Sequence, residues 1–457
     1  MFPFLTTWTN HLESRRLTGK RMLLAVSGGI DSVVMADLAF RSKLDFGIGH
    51  CNFHLRGEAS DGDAEFARTL ADRYGVPFFR ADFHTEQDAL DSGKSIHETA
   101  REQRYGWLEE IRIANNFDLV ATAHHLNDSI ETALINFTRG TGIRGLLGVP
   151  ETGNRLIRPL LWATREEIAA YAEETGLEYR EDSSNDTDKY ARNKIRHHVI
   201  PVLKDLNPGL EQTAARNFHH LSATASLYEW AVKELGSRYK SIRENTAVID
   251  LAVSRDFPHF ADSLLYEWIR EFGFLPNQVS DAMNAGESGA VFNSPTHKMI
   301  RDRGQLLIEP LAQQQTADSY LITRETQLLD LPEGRLAFHY PVSRPDQWPD
   351  HPDIAFFNAD KLTFPLTLRR WQSGDLFHPL GMGGKRQKLQ DFFSNRKLSL
   401  FDKERTWLLC SAAGEIAWVV GLRADERFKV GEGTKAVLRV EFGRITKRDR
   451  PQGRSDW

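Results

Sequence analysis

A chain of 457 residues is longer than one hydrophobic core usually serves, so two or three domains are expected. Its 40% apolar and 26% charged content is that of a soluble globular protein; it has no apolar run of about 18 residues for a membrane span and no secretory leader pattern at the start. Two distant cysteines, Cys51 and Cys410, exclude a disulfide scaffold or four-cysteine zinc site and fit a cytoplasmic location, while a net charge of −5 means that any nucleic-acid surface must be local.

The first strong element begins at residue 22. Residues 22–26 (MLLAV) form an apolar run of strand length, Ser27-Gly28-Gly29 breaks it, and residues 32–40 return to helical spacing. A strand, a glycine turn and a helix make an anion trap. The N–H groups of the turn and the first helical turn face the ligand, and the helix dipole adds about half a positive charge. Gly28 and Gly29 permit positive φ and close approach of the backbone. The expected cofactor-binding set is therefore Ser27, Gly28, Gly29, Ile30, Asp31 and Ser32, with the serine hydroxyls as extra donors. Asp31 alone would repel a phosphate, so its presence implies a bridging Mg2+, with Asp31 as metal ligand. The pattern is neither a Walker A loop nor G-x-G-x-x-G.

Strand-like segments recur at 45–51, 76–83 and 118–123, with helical segments at 60–74, 95–116 and about 127–139. Ser95 and Glu98 open the 95–116 helix with a capping-box pattern. This alternation predicts an α/β fold, a doubly wound parallel sheet, over residues 1–207. Ligands on such sheets sit beyond the carboxyl ends of the strands. The loop at 27–32, the stretch beginning at His50, and the pair His124-His125 all fall there. Asp128 and Glu131, three apart near a helix start, could hold an ammonium group, coordinate Mg2+, take a proton, or act as a cap. Arg101 and Arg104 share a helix face and could clamp phosphate or face solvent.

An acidic, Ser/Asn-rich loop at 181–189 leads into a basic run whose Arg192, Lys194 and Arg196 suit RNA phosphates and bases. Residues 208–312 read as a helical middle domain, with helices expected at 211–240 and 261–285 and a linker at 313–316. Residues 319–445 read as a small α+β domain, and the polar tail 446–457 as disordered. Between 364 and 405, nine Lys/Arg stand against four Asp/Glu, a local excess of positive charge in an acidic chain. Lys385, Arg386 and Lys388 follow a glycine-rich turn there and favour a phosphate backbone.

The Ser-Gly-Gly-x-Asp-Ser loop resembles the pyrophosphate loop (PP-loop) of ATP pyrophosphatases. Four further stretches accompany it: TAHHLNDSIETALINFTRG at 122–140, RPL at 158–160, EDSSN to RNKIRHHVIP at 181–201, and GDLFHPLGMGGKRQKLQDFF at 374–393, and all but RPL go well beyond that signature. Together they resemble the tRNA(Ile)-lysidine synthetase family. Asn127 is a departure, since many members carry Asp there.

The resemblance implies ATP as co-substrate, Mg2+, L-lysine, and a tRNA(Ile) with anticodon CAU as macromolecular partner. ATP would adenylate C2 of the wobble cytidine, and the ε-amine of lysine would then displace AMP to give lysidine. It further implies that Asp31, Arg101, His124, Asp128 and Glu131 are catalytic: Arg101 steadying phosphates or cytidine, Asp128 and Glu131 holding lysine, one of them or His124 taking a proton. His50 joins the cofactor-binding set. Arg192, Lys194, Arg196, Lys385, Arg386 and Lys388 would hold tRNA. The oligomeric state is left open, a homodimer included. The rival readings are a tRNA thiolase, a small-molecule amide synthetase and a non-enzymatic RNA-binding protein with a relic ATP loop.

Overall fold

The computed structural model describes residues 3–180, 191–286, 288–311, 319–345, 349 and 351–444. The acidic loop at 181–189, the 313–316 linker and the 446–457 tail lie outside them. The chain divides into two compact units, Met1–Ala231 and Val232–Trp457. Among the described residues no helix is long and apolar enough to cross a membrane.

The first unit begins with α1 (Pro3–Ser14), β1 (Met22–Ala25), α2 (Ile30–Arg41), β2 (Phe46–Asn52), α3 (Glu58–Tyr74) and β3 (Phe78–Asp82). There follow α4 (Thr85–Ser92), α5 (Ile96–Ala114), β4 (Leu119–Thr122), α6 (Leu126–Arg139), α7 (Ile143–Leu146), β5 (Leu156–Ile157) and α8 (Arg165–Thr175). The five strands lie in the order β3-β2-β1-β4-β5, and every pairing is parallel. This is the expected doubly wound sheet.

Why β1 occupies the centre follows from its side chains. Met22 and Leu24 pack with Trp8, Val33 and Val34 on one face, while Leu23 packs with Leu108 and Phe117 on the other. A strand apolar on both faces belongs where helices cover both sides. The chain runs outward from β1 to β3, then returns past β1 to lay down β4. Strand order therefore reverses between β1 and β4, and a ligand crevice opens at their carboxyl ends.

After α8 come α9 (Ala191–Lys194), a π-helical turn (Ile195–Val199), α10 (Ile200–Leu206) and the long α11 (Leu210–Tyr239). Ile195 and Ile200 are buried with Leu126 and Ile130, which packs this basic stretch onto α6. The apolar spacing thus sets which face of 191–200 turns toward the crevice.

In the second unit, the expected helices at 261–285 appear as Ala261–Ile269 and Pro276–Asn284. A five-stranded sheet accompanies them, which the helical reading of 208–312 did not include. Its strands are four to six residues long, too short for their alternation to stand out against the neighbouring helices. One of its hairpins joins His297–Asp302 to Gln305–Pro310 through Arg303-Gly304, both at positive φ. The C-terminal part carries a five-stranded and a four-stranded sheet with the helices Leu389–Asn395 and Leu400–Arg405, an α+β arrangement. Phe401 of the second helix packs on Val248, Ile300 and Leu307 of the preceding sheet.

Gly148 holds the loop after α7 against the start of α6. Its φ is +72°, and a Cβ there would lie 2.7 Å from the Ser129 carbonyl oxygen and 2.9 Å from Ser129 Cα. Gly148→Ala should therefore cost about 1–3 kcal/mol in urea unfolding. A change within 0.5 kcal/mol would show that the approach is not a constraint.

Candidate active site at the carboxyl edge of the parallel sheet

The loop after β1 is built around Ser32. Its hydroxyl, nearly buried, accepts the Ser27 N–H at 3.2 Å and donates to the Gly29 carbonyl at 2.8 Å. Ser27 Oγ lies 3.3 Å from Ser32 Oγ. The loop thus has a fixed shape before any ligand arrives. Gly28 has φ +95°, as the turn demands, but Gly29 is at φ −71° and ψ 157°, an extended N-cap that any residue adopts. Positive φ is therefore needed at one of the two glycines only. Beneath the loop, His50 Nδ1–H donates to the Val26 carbonyl at 2.8 Å, and the buried ring is pushed down in pKa by desolvation. The structure thus sets His50 as a strut for the end of β1. Behind the loop, Asp63 pairs with Arg56 at 2.6 Å and with Arg180, whose N–H also donates to the Gly28 carbonyl at 3.0 Å.

Asp31, in the first turn of α2, leans into the crevice. Its Oδ2 accepts from Arg165 at 3.0 Å, and its Oδ1 lies 3.9 Å from His125 Nε2. That Oδ1 is buried and has no hydrogen-bond partner. Burial pushes the Asp31 carboxyl up in pKa, against the pull of His125 and Arg165.

The N-terminus of α6 supplies the opposite wall. The Asp128 carboxylate accepts the His125 N–H at 2.9 Å, so this residue does cap its helix, with His125 rather than Glu131 as the other half of the box. Its second oxygen accepts from Arg192 at 2.9 Å. Burial pushes Asp128 up, but His125, Arg192 and His124 outweigh this and hold it below the ordinary carboxylate range. Glu131, only 1% exposed, accepts from Arg192 Nε at 2.7 Å and from Arg196 Nε and a terminal nitrogen at 2.7 and 3.0 Å. Arg192 and Arg196, expected at an RNA surface, are thus engaged with the two carboxylates, while Lys194 between them is exposed. His124 Nδ1 lies 3.0 Å from the Thr122 hydroxyl, and burial pushes its imidazole down to about 4.

Asn127 joins three elements. Its carbonyl accepts the Arg165 N–H at 3.0 Å, and its amide donates to Glu211 of α11 at 3.2 Å. An Asp there would lose this donation to the buried Glu211 carboxylate, with which Lys204 also pairs at 2.6 Å. A cavity of about 290 Å³ opens beside Asn127, lined by His125, Glu131, Arg165, Arg196 and His197.

Arg101 is exposed on α5 with its guanidinium 5.0 Å from the Tyr105 ring centroid. Arg104 lies over Phe53 and bears electrostatically on His124 and Cys51, so of the two it is nearer the site. Lys385, Arg386 and Lys388 are exposed in the second unit, where Leu376–Phe377 pairs with Gln387–Lys388 and closes the intervening loop. Burial pushes the thiols of Cys51 and Cys410 up to about 12 and about 11, which leaves neither as a ready thiolate for sulfur transfer. Among the described residues, His54, Asp61 and Asp82 could also hold a metal, but all are exposed and both carboxylates pair with Arg80.

Sequence reasoning missed Arg165, His125 as a site residue in its own right, and Glu211. Thr164-x-x-Glu167 is a capping-box pattern that marks Arg165 as the first residue of a helix, the signal that could have found it.

A parallel sheet with a Ser-Gly-Gly-x-Asp-Ser loop at its switch point defines a PP-loop ATP-binding domain, and the family model of that description matches residues 5–203. Models described as the TilS substrate binding domain and the TilS substrate C-terminal domain match residues 243–311 and 366–442. The chain is 39% identical to a tRNA(Ile)-lysidine synthase of Parabacteroides distasonis over 94% of its own length and 98% of that protein's. It is 37% identical to one of Bacteroides thetaiotaomicron over 92% and 95%, and 30% identical to one of Caldanaerobacter subterraneus over 92% and 93%. The chain belongs to the tRNA(Ile)-lysidine synthase family.

Glu131→Gln should destabilise the chain by up to about 3 kcal/mol in urea unfolding, since two guanidiniums lose one of their two carboxylates while keeping Asp128 and partial access to solvent. A loss under 0.5 kcal/mol would show that the arginines re-pair at no cost. His124 makes a second, pH-dependent prediction. With its folded pKa near 4 and an ordinary value of 6.5, the unfolded chain binds the extra proton between them. The residue therefore stabilises fully above pH 6.5, and that contribution is lost as pH falls toward 4. His124→Gln should flatten the pH dependence of stability in this window, by up to about 3 kcal/mol at 1.36 kcal/mol per unit. An unchanged slope would contradict the buried neutral imidazole.

Proposed function

We propose that this chain ligates L-lysine to C2 of the wobble cytidine of tRNA(Ile) with anticodon CAU, changing its decoding from AUG to AUA. The observation that carries the reading is the match to tRNA(Ile)-lysidine synthases along nearly the whole chain, substrate domains included. ATP is the co-substrate of its PP-loop domain. In the first step the C2 oxygen of cytidine attacks the α-phosphorus and pyrophosphate leaves. In the second the neutral ε-amine attacks C2, and AMP leaves with that oxygen.

The crevice suits this sequence electrostatically. Asp31, Asp128 and Glu131 oppose Arg165, Arg192 and Arg196, so opposite charges balance before substrates enter. A polyphosphate competes for the guanidiniums and leaves carboxylate oxygens for an ammonium group. Asp128 and Glu131 would in this way receive the lysine, with the 290 Å³ cavity for its chain. The Ser27–Ser32 loop and the first N–H groups of α2 would take the departing pyrophosphate, where charge develops. The unpartnered, buried Asp31 Oδ1 is a hard oxygen donor that fits Mg2+, which would supply positive charge to the pyrophosphate. His124, neutral at pH 7, can accept a proton from the amine but holds it weakly. Arg104 is better placed than Arg101 to reach this chemistry. Lys194, Lys385, Arg386 and Lys388 would meet the tRNA backbone. The reading also assigns residues 1–207 to catalysis and 319–445 to tRNA, places the enzyme in the cytoplasm with its substrate, and leaves a homodimer for sedimentation to decide.

Asp31→Asn tests the assignment. Release of pyrophosphate in the presence of unmodified tRNA(Ile) should fall at least about 100-fold, with tRNA affinity within about threefold of wild type. Lost tRNA binding with pyrophosphate release retained would contradict it.

A further inference from the structure

A cleft of about 600 Å³ opens in the C-terminal part of the second unit, away from any motif that the sequence singled out. The turn at 323–327, residues 338–342 of the strand Gly334–Val342, and Phe364 line it. The turn is pinned by its own threonines: Thr323 N–H donates to Thr326 Oγ1 at 3.1 Å, and the Thr326 N–H returns to the Thr323 carbonyl at 3.3 Å. This holds Arg324 at the tip. Its guanidinium lies 5.2 Å from the Phe364 ring centroid and 5.7 Å from that of Tyr340, and the two rings are 6.5 Å apart. The floor is apolar, with Phe338 and Leu438 both nearly buried. Donors and acceptors sit on the rim, in Thr326, Gln327 and His339.

A flat cation over two aromatic rings, an apolar floor and amide and hydroxyl groups at the edge form a surface for a planar heterocycle. Charge recognition is not what the rim offers, because Glu325 stands beside Arg324. A ligand held here is gripped by its face. The rings and guanidinium provide that grip for any base, and Gln327 and Thr326 read its edge. The cleft is wide enough for a base and open enough for the sugar and phosphates to remain outside.

We propose that this cleft binds one unpaired nucleotide of the tRNA, its base stacked on Arg324 and the Tyr340–Phe364 pair. The proposal rests on the lysidine synthase reading, which makes RNA the ligand of this chain. The wobble cytidine reacts at the crevice of the parallel sheet, so the nucleotide taken here is a different one. The site therefore contributes to tRNA affinity and choice rather than to the chemical steps.

The test is binding of the full chain to unmodified tRNA(Ile) (CAU) transcript across a salt series, for wild type, Arg324→Ala and Arg324→Lys. Arg324 is exposed, and thermal melts of each variant confirm that the fold is kept. Arg324→Ala should weaken binding about 5- to 150-fold, the range for one stacked base, and chemical probing should show one unpaired nucleotide losing protection. Arg324→Lys should fail to restore affinity or protection, because lysine keeps the charge and loses the plane. Rescue by Lys, with a salt slope about 0.9 lower in the Ala variant, would mean a phosphate contact and overturn the proposal. Affinity and probing unchanged in Arg324→Ala would also overturn it, leaving Arg324 as a cover for two rings. If the wild type itself does not bind this tRNA, the functional reading fails and this inference with it.

Discussion

The buried pairing of carboxylates with guanidiniums at the carboxyl edge of the sheet is the constraint that the rest of the catalytic unit serves. Glu131 is almost inaccessible, and an unpaired carboxylate at such a position would cost several kcal/mol. Two arginines from 191–200 remove that cost, and they reach it only because Ile195 and Ile200 seat their helix on α6. His125 and one of these guanidiniums, Arg192, keep a second carboxylate, Asp128, ionised at the helix start. Asp31 and Arg165 repeat the arrangement on the facing wall. The site therefore presents exchangeable ion pairs, stable in the absence of substrate and open to competition from a polyphosphate and an amine.

Backbone topology decides where those pairs meet. β1 and β4 are adjacent although their final residues, the register partners Ala25 and Thr122, are 97 positions apart, and Thr122 lies four positions before the start of α6. The reversal of strand order between them leaves room for a nucleotide, and the serine-tied loop gives that room a fixed anion-binding edge. Asn127 ties α6 to α8 and α11 through one carbonyl and one amide, which anchors the start of α6. His50 and Asp63 work from below and behind, as supports of the loop.

What the sequence disclosed, and what it withheld, follows from the range of each interaction. β1 and its turn were legible because an apolar run and two glycines are local signals. The helical spacing of Asp128 and Glu131 was legible for the same reason. Their partners were not: Arg192 lies 61 and 64 positions away, and Arg165 is 134 positions from Asp31. A basic run behind an acidic loop reads as an RNA surface, and only the packing of isoleucines turns Arg192 and Arg196 inward. The middle sheet was hidden by strands of four to six residues between aromatic-rich helices. The Arg324 cleft left no local trace, since Arg324, Tyr340 and Phe364 come from three separate stretches.

The most direct test of the account is the nucleoside it predicts. Purified protein, ATP, Mg2+, L-lysine and unmodified tRNA(Ile) (CAU) are incubated together, and the digested RNA is analysed by mass spectrometry. The account predicts a lysine-bearing cytidine in place of the wobble cytidine. Pyrophosphate release with every nucleoside unchanged would contradict it, and would point to another nucleophile at the same ATP site.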